Sequence, residues 1–313
     1  MVLEFQEELP YVKKREVLLT LNEYGKSGWN VRWKDHMAVS NELLVQEHEN
    51  IIRYLLLRAI INQQAESLKA RELAINLYEK FKEKLLRRPW DVELIDYIRV
   101  FRRIGGPKGS AVYHVGFLRG IKPTSLFTYR IMAYVYYIKK LEKERRSLKG
   151  IIERSLNVKE LYNLLRNDEV LSIGWVGKDP KACRMFVNWI IFLYNEVWKE
   201  SISLSMRDTL MIVDGHVGKV FARTGLLGRV KYEKVRPYII EAAKMRYEIE
   251  QLVHEFPEVV PFYVDNGAFY LFEDGYCLEE SPKCDDCPLS KYCKKYIKWT
   301  GYKKYRRSNE DIR

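Results

Sequence analysis

Four of the five cysteines in this chain fall within 17 residues, CLEESPKCDDCPLSKYC, at Cys277, Cys284, Cys287 and Cys293. Their spacing is C-x6-C-x2-C-x5-C, and the fifth cysteine, Cys183, stands apart. The opening residues, MVLEFQEELPYVKKRE, interleave acids and bases without an apolar stretch, so the chain is expected to lie in the cytoplasm. In a reducing compartment, clustered thiols read as a metal site rather than as disulfides. Four thiolates on one centre suit zinc or an iron–sulfur cluster. Structural zinc sites pair two short C-x2-4-C units, and only one such unit, Cys284 to Cys287, exists in this stretch. The uneven spacing lets each iron of a cubane be reached from a different direction. The expected cofactor is therefore a [4Fe–4S] cluster held by the four cysteines, with a zinc knuckle as the alternative.

Most of the rest carries apolar residues at helical spacing. NELLVQEHENIIRYLLLRAIINQQ (41–64), SLKARELAINLYEKFKEKLL (67–86), ACRMFVNWIIFLYNEVW (182–198) and VRPYIIEAAKMRYEIEQLVHEF (235–256) all read as helices, the last with Pro237 in its first turn. Strand signals are confined to 31–33 and 269–272, and both stretches read equally as loop or helix. The expected class is all-α. Breakers lie at 105–109, 174–180 and 225–228. Apolar residues make up 47%, enough for a large core, and no window of 18 uncharged apolar residues suggests a membrane span. Lys and Arg number 54 against 42 Asp and Glu, a net charge of +12 that favours a polyanionic partner. The charged stretch YYIKKLEKERRSLKGIIER reads as a solvated helix face.

Three further segments bear on function. IVDGHVGKVFARTGLLGR (212–229) places Asp214 at a helix start, where a carboxylate serves as an N-cap or stabilises a developing cation. His216 beside it is expected to orient a backbone group. LSIGWVGKDPKACRMF (171–186) has a glycine turn ahead of a helix, a geometry that aims backbone N–H groups at phosphate. In it Asp179 is expected as N-cap and Pro180 as the first helical residue. Lys181 then sits in the first turn, opposed to the helix dipole, and partial burial would free its amine for attack. RAIINQQAESLKARELA (58–74) carries the pair Gln63 and Gln64, whose ordinary role would be to cap the preceding helix.

Together these segments resemble the helix-hairpin-helix DNA glycosylases of the endonuclease III and adenine glycosylase type. The cysteine loop, with Asp265, Gly275 and Pro282 around it, resembles the family's cluster loop. Residues 213–225 resemble its V-D-x-H-V-x-R-V-x-x-R-L-G signature through Val213, Asp214, His216, Val217, Val220, Arg223 and Gly225, with Lys219 and Thr224 as departures. The glutamine stretch resembles that of 3-methyladenine glycosylases. The hairpin departs further: Gly174 and Gly177 are three apart, Lys181 lies four past the second, and Asp214 follows 33 positions after Lys181. That region looks closer to the archaeal 8-oxoguanine glycosylase branch.

The resemblance implies a two-lobed, all-α glycosylase fold with a C-terminal cluster loop. Residues 1–50 would pack on the cluster lobe, 51–211 would form a six-helix barrel with the hairpin, and 212–313 would hold the acid-bearing helix and the cluster. The lesion pocket would lie between the lobes. The first 45 residues have no counterpart in the family. It implies a monomeric base-excision glycosylase acting on double-stranded DNA that contains a lesion or mismatch. Gly174, Gly177 and Lys178 would hold the backbone, Gln63 or Gln64 would fill the gap left by a flipped nucleotide, Lys181 would attack C1′, and Asp214 would stabilise charge. Lys283, Lys291, Lys294, Lys295, Arg306 and Arg307 would add phosphate contacts. Lys178 remains an alternative nucleophile. A monofunctional glycosylase, or an inactive iron–sulfur scaffold that binds DNA, remains an alternative function.

Overall fold

The computed structural model describes residues 9–105, 112–113, 121–227, 237–278 and 281–293. The breaker residues 106–109 and Gly228, and the basic residues Lys294, Lys295, Arg306 and Arg307, lie outside these. Helix accounts for 69% of the described residues and no strand occurs among them, so the fold is all-α. No described helix is long and apolar enough to cross a membrane.

The chain divides into two compact units. One, the cysteine unit, joins Met1–Val31 to Met206–Arg313; the other, the hairpin unit, is Arg32–Ser205. The boundaries fall at 31/32 and 205/206, where the sequence placed them at 50/51 and 211/212. The first helix, α1 (Tyr11–Met37), supplies residues to both units.

In the hairpin unit, α2 (Asn41–Leu44), α3 (His48–Ile61), α4 (Ser67–Phe81), α5 (Glu83–Arg87), α6 (Leu94–Gly105), α7 (Pro123–Lys143), α8 (Leu148–Arg154), α9 (Val158–Arg166), α10 (Leu171–Gly174) and α11 (Lys181–Phe192) follow in order. The expected single helix over 41–64 is broken at 45–47, and the one over 67–86 is broken at Lys82, whose φ of 46° interrupts the helical path. α3 explains the architecture. Its residues from Asn50 to Ile61 are buried on almost every side, and a helix apolar all round belongs at the centre. α7 and α11 pack against it. α11 runs on into a π-helical turn, Leu193–Trp198.

The cysteine unit is built from the first part of α1, α12 (Gly215–Thr224), α13 (Pro237–His254), α14 (Pro261–Glu273) and the cysteine loop. Val17, Leu18 and Leu21 of α1 join Val217, Phe221, Ile249, Val253, Val264 and Leu271 in one core. α1 and α14 cross backbone to backbone. A β-carbon at Gly25 would stand 1.8 Å from the Tyr263 carbonyl oxygen, and one at Gly267 would stand 2.0 Å from that of Leu21. Only glycine fits at either point. Both stretches that left strand open are helical, 31–33 within α1 and 269–272 within α14.

Candidate functional site

The cysteine loop is anchored where α14 ends. Gly275, with φ of 86°, turns the chain back, and Lys283 N–H donates to its carbonyl at 3.1 Å. The loop then winds so that Cys277, Cys284, Cys287 and Cys293 all line a cavity of about 160 Å³, together with Arg223 and Thr224 of α12 and Leu271 of α14. Arg223 is buried. Its Nη1 donates to the Cys277 carbonyl at 3.2 Å and lies 3.1 Å from the Cys277 sulfur. Burial pushes the Cys287 thiol up to about 11, and the nearby sulfurs of Cys277, Cys293 and Cys284 push the same way. The Cys287 thiol so placed resists ionising until a cation arrives, and coordination then deprotonates it outright. No three described His, Cys, Asp or Glu side chains are drawn around a single point; the four sulfurs are spread over the cavity wall.

Asp214 caps the opposite end of α12. Its Oδ1 accepts from His216 N–H at 2.8 Å and from Val217 N–H at 3.0 Å. The carboxylate is half-buried. The approach to it is fixed from α14. The buried Asp265 accepts from Ile212 N–H at 2.9 Å, and Thr209 Oγ1 accepts from Phe262 N–H at 3.1 Å. His216 stacks its ring on Phe272 with centroids 3.5 Å apart.

The hairpin lies between α10 and α11. Gly174 is required by packing, since a β-carbon there would press to 2.9 Å of the Ala133 side chain. Gly177 is required by conformation, with φ of +84° and open space around it. Trp175 is buried and donates from Nε1 to the Leu165 carbonyl at 3.0 Å, which makes it a packing residue. Two local expectations are corrected. The helix starts at Lys181 with Pro180 as its N-cap residue, and no side chain caps it. Asp179 is held elsewhere: Arg184 grips it with Nε to Oδ1 at 2.8 Å and Nη2 to Oδ2 at 3.0 Å, and the Tyr162 hydroxyl donates to it as well. Lys181 is exposed, not partly buried, and so is Lys178. Burial also pushes the Cys183 thiol far up, which marks an inert core sulfur.

Gln63 is buried. Its Nε2 donates to the carbonyls of Ile60 at 3.0 Å and Gly174 at 2.6 Å, and its Oε1 accepts from Val176 N–H at 2.8 Å. Gln64 is half-buried with φ of 52°, and its Oε1 accepts from Arg130 Nη2 at 3.1 Å. Arg130 Nη1 also donates to the Gln63 carbonyl.

The sequence reading brought Gln63, Gly174 and Val176 together only as members of separate motifs, and it missed Arg130, Arg184 and the role of Asp265. Arg130 did leave a signal. It is a lone cation on a face of α7 whose neighbours at helical spacing, Phe127 and Tyr134, are fully buried. Comparison with protein-family models and with curated proteins finds no match to either.

Proposed function

We propose that the chain belongs to the nucleic-acid enzymes that remove a base from an extruded nucleotide, with a cluster-stapled loop and a hairpin for the phosphate backbone. More particularly, we read it as an iron–sulfur base-excision DNA glycosylase that also nicks the strand at the resulting abasic site.

The observation that carries this reading is the cavity ringed by four thiols. Its wall includes Arg223 near one end of α12, and Asp214 caps the other end of that helix. Four sulfur donors lining one cavity match in number and type the ligands of a [4Fe–4S] cluster, which Cys277, Cys284, Cys287 and Cys293 would hold. When bound, such a cluster supplies a cross-link that fixes the loop on α12 and α14, not chemistry at the sugar. Lys283 and Lys291 then stand on an ordered loop as phosphate contacts, which position DNA without reading sequence.

In the proposed reaction the Gly177 turn and Lys178 hold the backbone. The Lys181 amine attacks C1′ as the glycosidic bond breaks, and the base departs with the bonding pair. Asp214 stabilises the positive charge that develops on the sugar. The C1′–O4′ bond of the resulting amino sugar then opens, O4′ leaving with the bonding pair and taking up a proton, which leaves an imine between C1′ and Lys181. Abstraction of a C2′ proton then expels the 3′ phosphate, and water releases the enzyme.

Borohydride reduction should trap the protein on lesion-bearing duplex. Lys181→Gln should abolish trapping while Lys178→Gln retains it; the reverse result moves the nucleophile to Lys178. Purified protein should contain iron and inorganic sulfide, and zinc alone would replace the cubane with the knuckle.

One observation favours a second reading, that of a DNA-binding scaffold without catalysis. Lys181 is exposed and Asp214 Oδ1 is engaged by two backbone N–H groups. A panel of duplexes carrying oxidised pyrimidines, 8-oxoguanine, or uracil or thymine opposite guanine separates the two: a scaffold binds and releases no base.

A further inference from the structure

We propose that the hairpin unit carries a second anion site, outside the hairpin, in which Arg145, Arg146 and Arg154 take a phosphoryl group. The proposal goes beyond the glycosylase reading and stands or falls without it.

The charged stretch that the sequence presents as a solvated helix face does not run as one helix. It turns at 144–147, between α7 and α8, and Arg154 of α8 comes to the same cavity as Arg145 and Arg146 of the turn. That cavity measures about 220 Å³, and Ser147, Glu160 and Leu164 complete the part of its wall that matters here. Backbone bonds set the turn. Arg145, with φ of 52°, follows α7 in the left-handed conformation that usually falls to glycine. Its N–H donates to the Glu142 carbonyl at 3.0 Å, and the Arg146 N–H donates to that of Leu141 at 2.8 Å. On α9, Glu160 and Leu164 are about one turn apart and share a face. Tyr162, which donates to Asp179 of the hairpin, points from the opposite face. The cavity and the glycine turn therefore have no residue in common.

Positive charge prevails on the cavity wall. Against the three guanidinium groups stands one carboxylate, Glu160, and it is already committed. Its Oε2 accepts from Leu156 N–H at 2.6 Å while its own N–H donates to Asn157 Oδ1 at 2.9 Å, a reciprocal pair that closes the start of α9. Arg146 meets Glu144 at 3.1 Å, but Arg145 and Arg154 have no carboxylate partner among the described residues. Elsewhere in the unit Arg53, Arg71, Arg87, Arg88 and Arg99 each have one. The N–H groups at the start of α8 are spent, those of Leu148 and Lys149 on Glu49 at 3.2 and 2.7 Å and that of Gly150 on Ser147 Oγ at 3.0 Å. Recognition thus falls to the guanidinium forks and to the hydroxyl proton of Ser147. One fork satisfies the two oxygens of a flat carboxylate, whereas forks from separate stretches of chain suit a tetrahedral group with three or more oxygens. A phosphoryl group has that shape and enough charge to answer several arginines. Two sources offer it, the backbone of a nucleic-acid strand and a free phosphate compound.

The test uses the full chain and two probes, pyrophosphate titrated at constant ionic strength and an intact duplex titrated over a range of salt. The parent should bind pyrophosphate with a Kd of about 1 mM or tighter. The double variant Arg145→Gln, Arg154→Gln changes two exposed residues. It should bind pyrophosphate at least about tenfold more weakly, the loss expected when charged hydrogen bonds to an anion are removed. Lys149→Gln removes a neighbouring charge that is already paired with Glu153, and it should alter binding by less than about twofold. The duplex identifies the source. If a strand supplies the phosphoryl group, the double variant also loses duplex affinity, and the slope of log affinity against log salt falls by about 0.9 for each phosphate released. If a free phosphate compound supplies it, duplex affinity and slope stay as in the parent. Equal affinity of the parent and the double variant for both probes, absence of binding included, overturns the site. So does a loss in Lys149→Gln as large as that in the double variant, which would reduce the effect to overall charge. Should the change at 145 disturb the turn, Arg154→Gln alone, within α8, must still weaken binding. Base release enters none of these measurements, so a failed glycosylase assay and a failed site remain distinct results.

Discussion

Two helices in this protein start next to an aspartate, and the two aspartates are used in opposite ways. At α12, Asp214 adopts an extended backbone and its carboxylate closes the helix, taking the N–H groups of His216 and Val217. At α11, Asp179 precedes Pro180 and Lys181 but does not cap, and no other side chain takes its place. The difference lies in one residue. Arg184, five positions on and buried, meets the Asp179 carboxylate with two parallel hydrogen bonds, and Tyr162 adds a third. A bidentate guanidinium outcompetes two neutral backbone N–H groups for the same oxygens. The start of α12 thus carries its own anion, whereas α11 keeps a positive dipole end behind an exposed glycine turn, an arrangement suited to an anion from outside.

The strongest way to break this comparison is to release Asp179. Arg184→Met removes the bidentate partner and should cost about 2–3 kcal/mol, below the full penalty for a closed buried pair because Asp179 is 34% exposed. Chemical denaturation measures that cost. The freed carboxylate should then swing to cap α11, and affinity for intact duplex should fall. Unchanged affinity in a folded Arg184→Met protein would show that the start of α11 plays no part in holding phosphate.

A smaller effect separates the two roles of Asp214. Asp214→Ala removes the cap of α12 and should cost about 1 kcal/mol. Asp214→Asn keeps a capping oxygen, so its stability should stay within a few tenths of a kcal/mol of the parent. Both changes should abolish base release while leaving duplex binding in place. Base release that survives in Asp214→Asn would leave the residue as a cap and nothing more.

The contrast between the helix starts was half legible. A carboxylate directly ahead of a helix reads as a cap, and for Asp214 that local rule holds: its Oδ1 accepts from His216 N–H and Val217 N–H. For Asp179 the same rule fails because its competitor, Arg184, is presented by the helix it would have capped, and its second partner, Tyr162, comes from α9. Periodicity gave the existence of the helices well, since burial of α3 and α11 rests on apolar spacing. It missed their interruptions, which depend on single backbone angles such as that of Lys82. It also assigned no definite helix before residue 41, although 11–37 form the longest described helix. That helix docks through Gly25 and Gly267, a contact between backbones that leaves no hydrophobic pattern to read. In the site, the clustered thiols were visible because all their chemistry lies in one short stretch. Arg130 and Asp265 act across 66 and 53 positions on backbone and amide groups, and such partners follow from the fold alone.

The finest test concerns the turn ahead of α11. Gly177 has φ of +84° with nothing within 4 Å of where a β-carbon would stand, so Gly177→Ala meets no clash and only the backbone conformation is penalised. The expected loss is just under about 1 kcal/mol. The turn is exposed, and it can relax by leaving the left-handed region, which re-aims the N–H groups that follow it. Stability should therefore change little while affinity for intact duplex falls more than the stability loss accounts for, and Gly174→Ala should show the reverse, since its β-carbon would press on Ala133 in the interior. Equal effects of the two substitutions on binding and on stability would mean that the turn is merely a connector, and the contrast between an open and a closed helix start would lose its functional meaning.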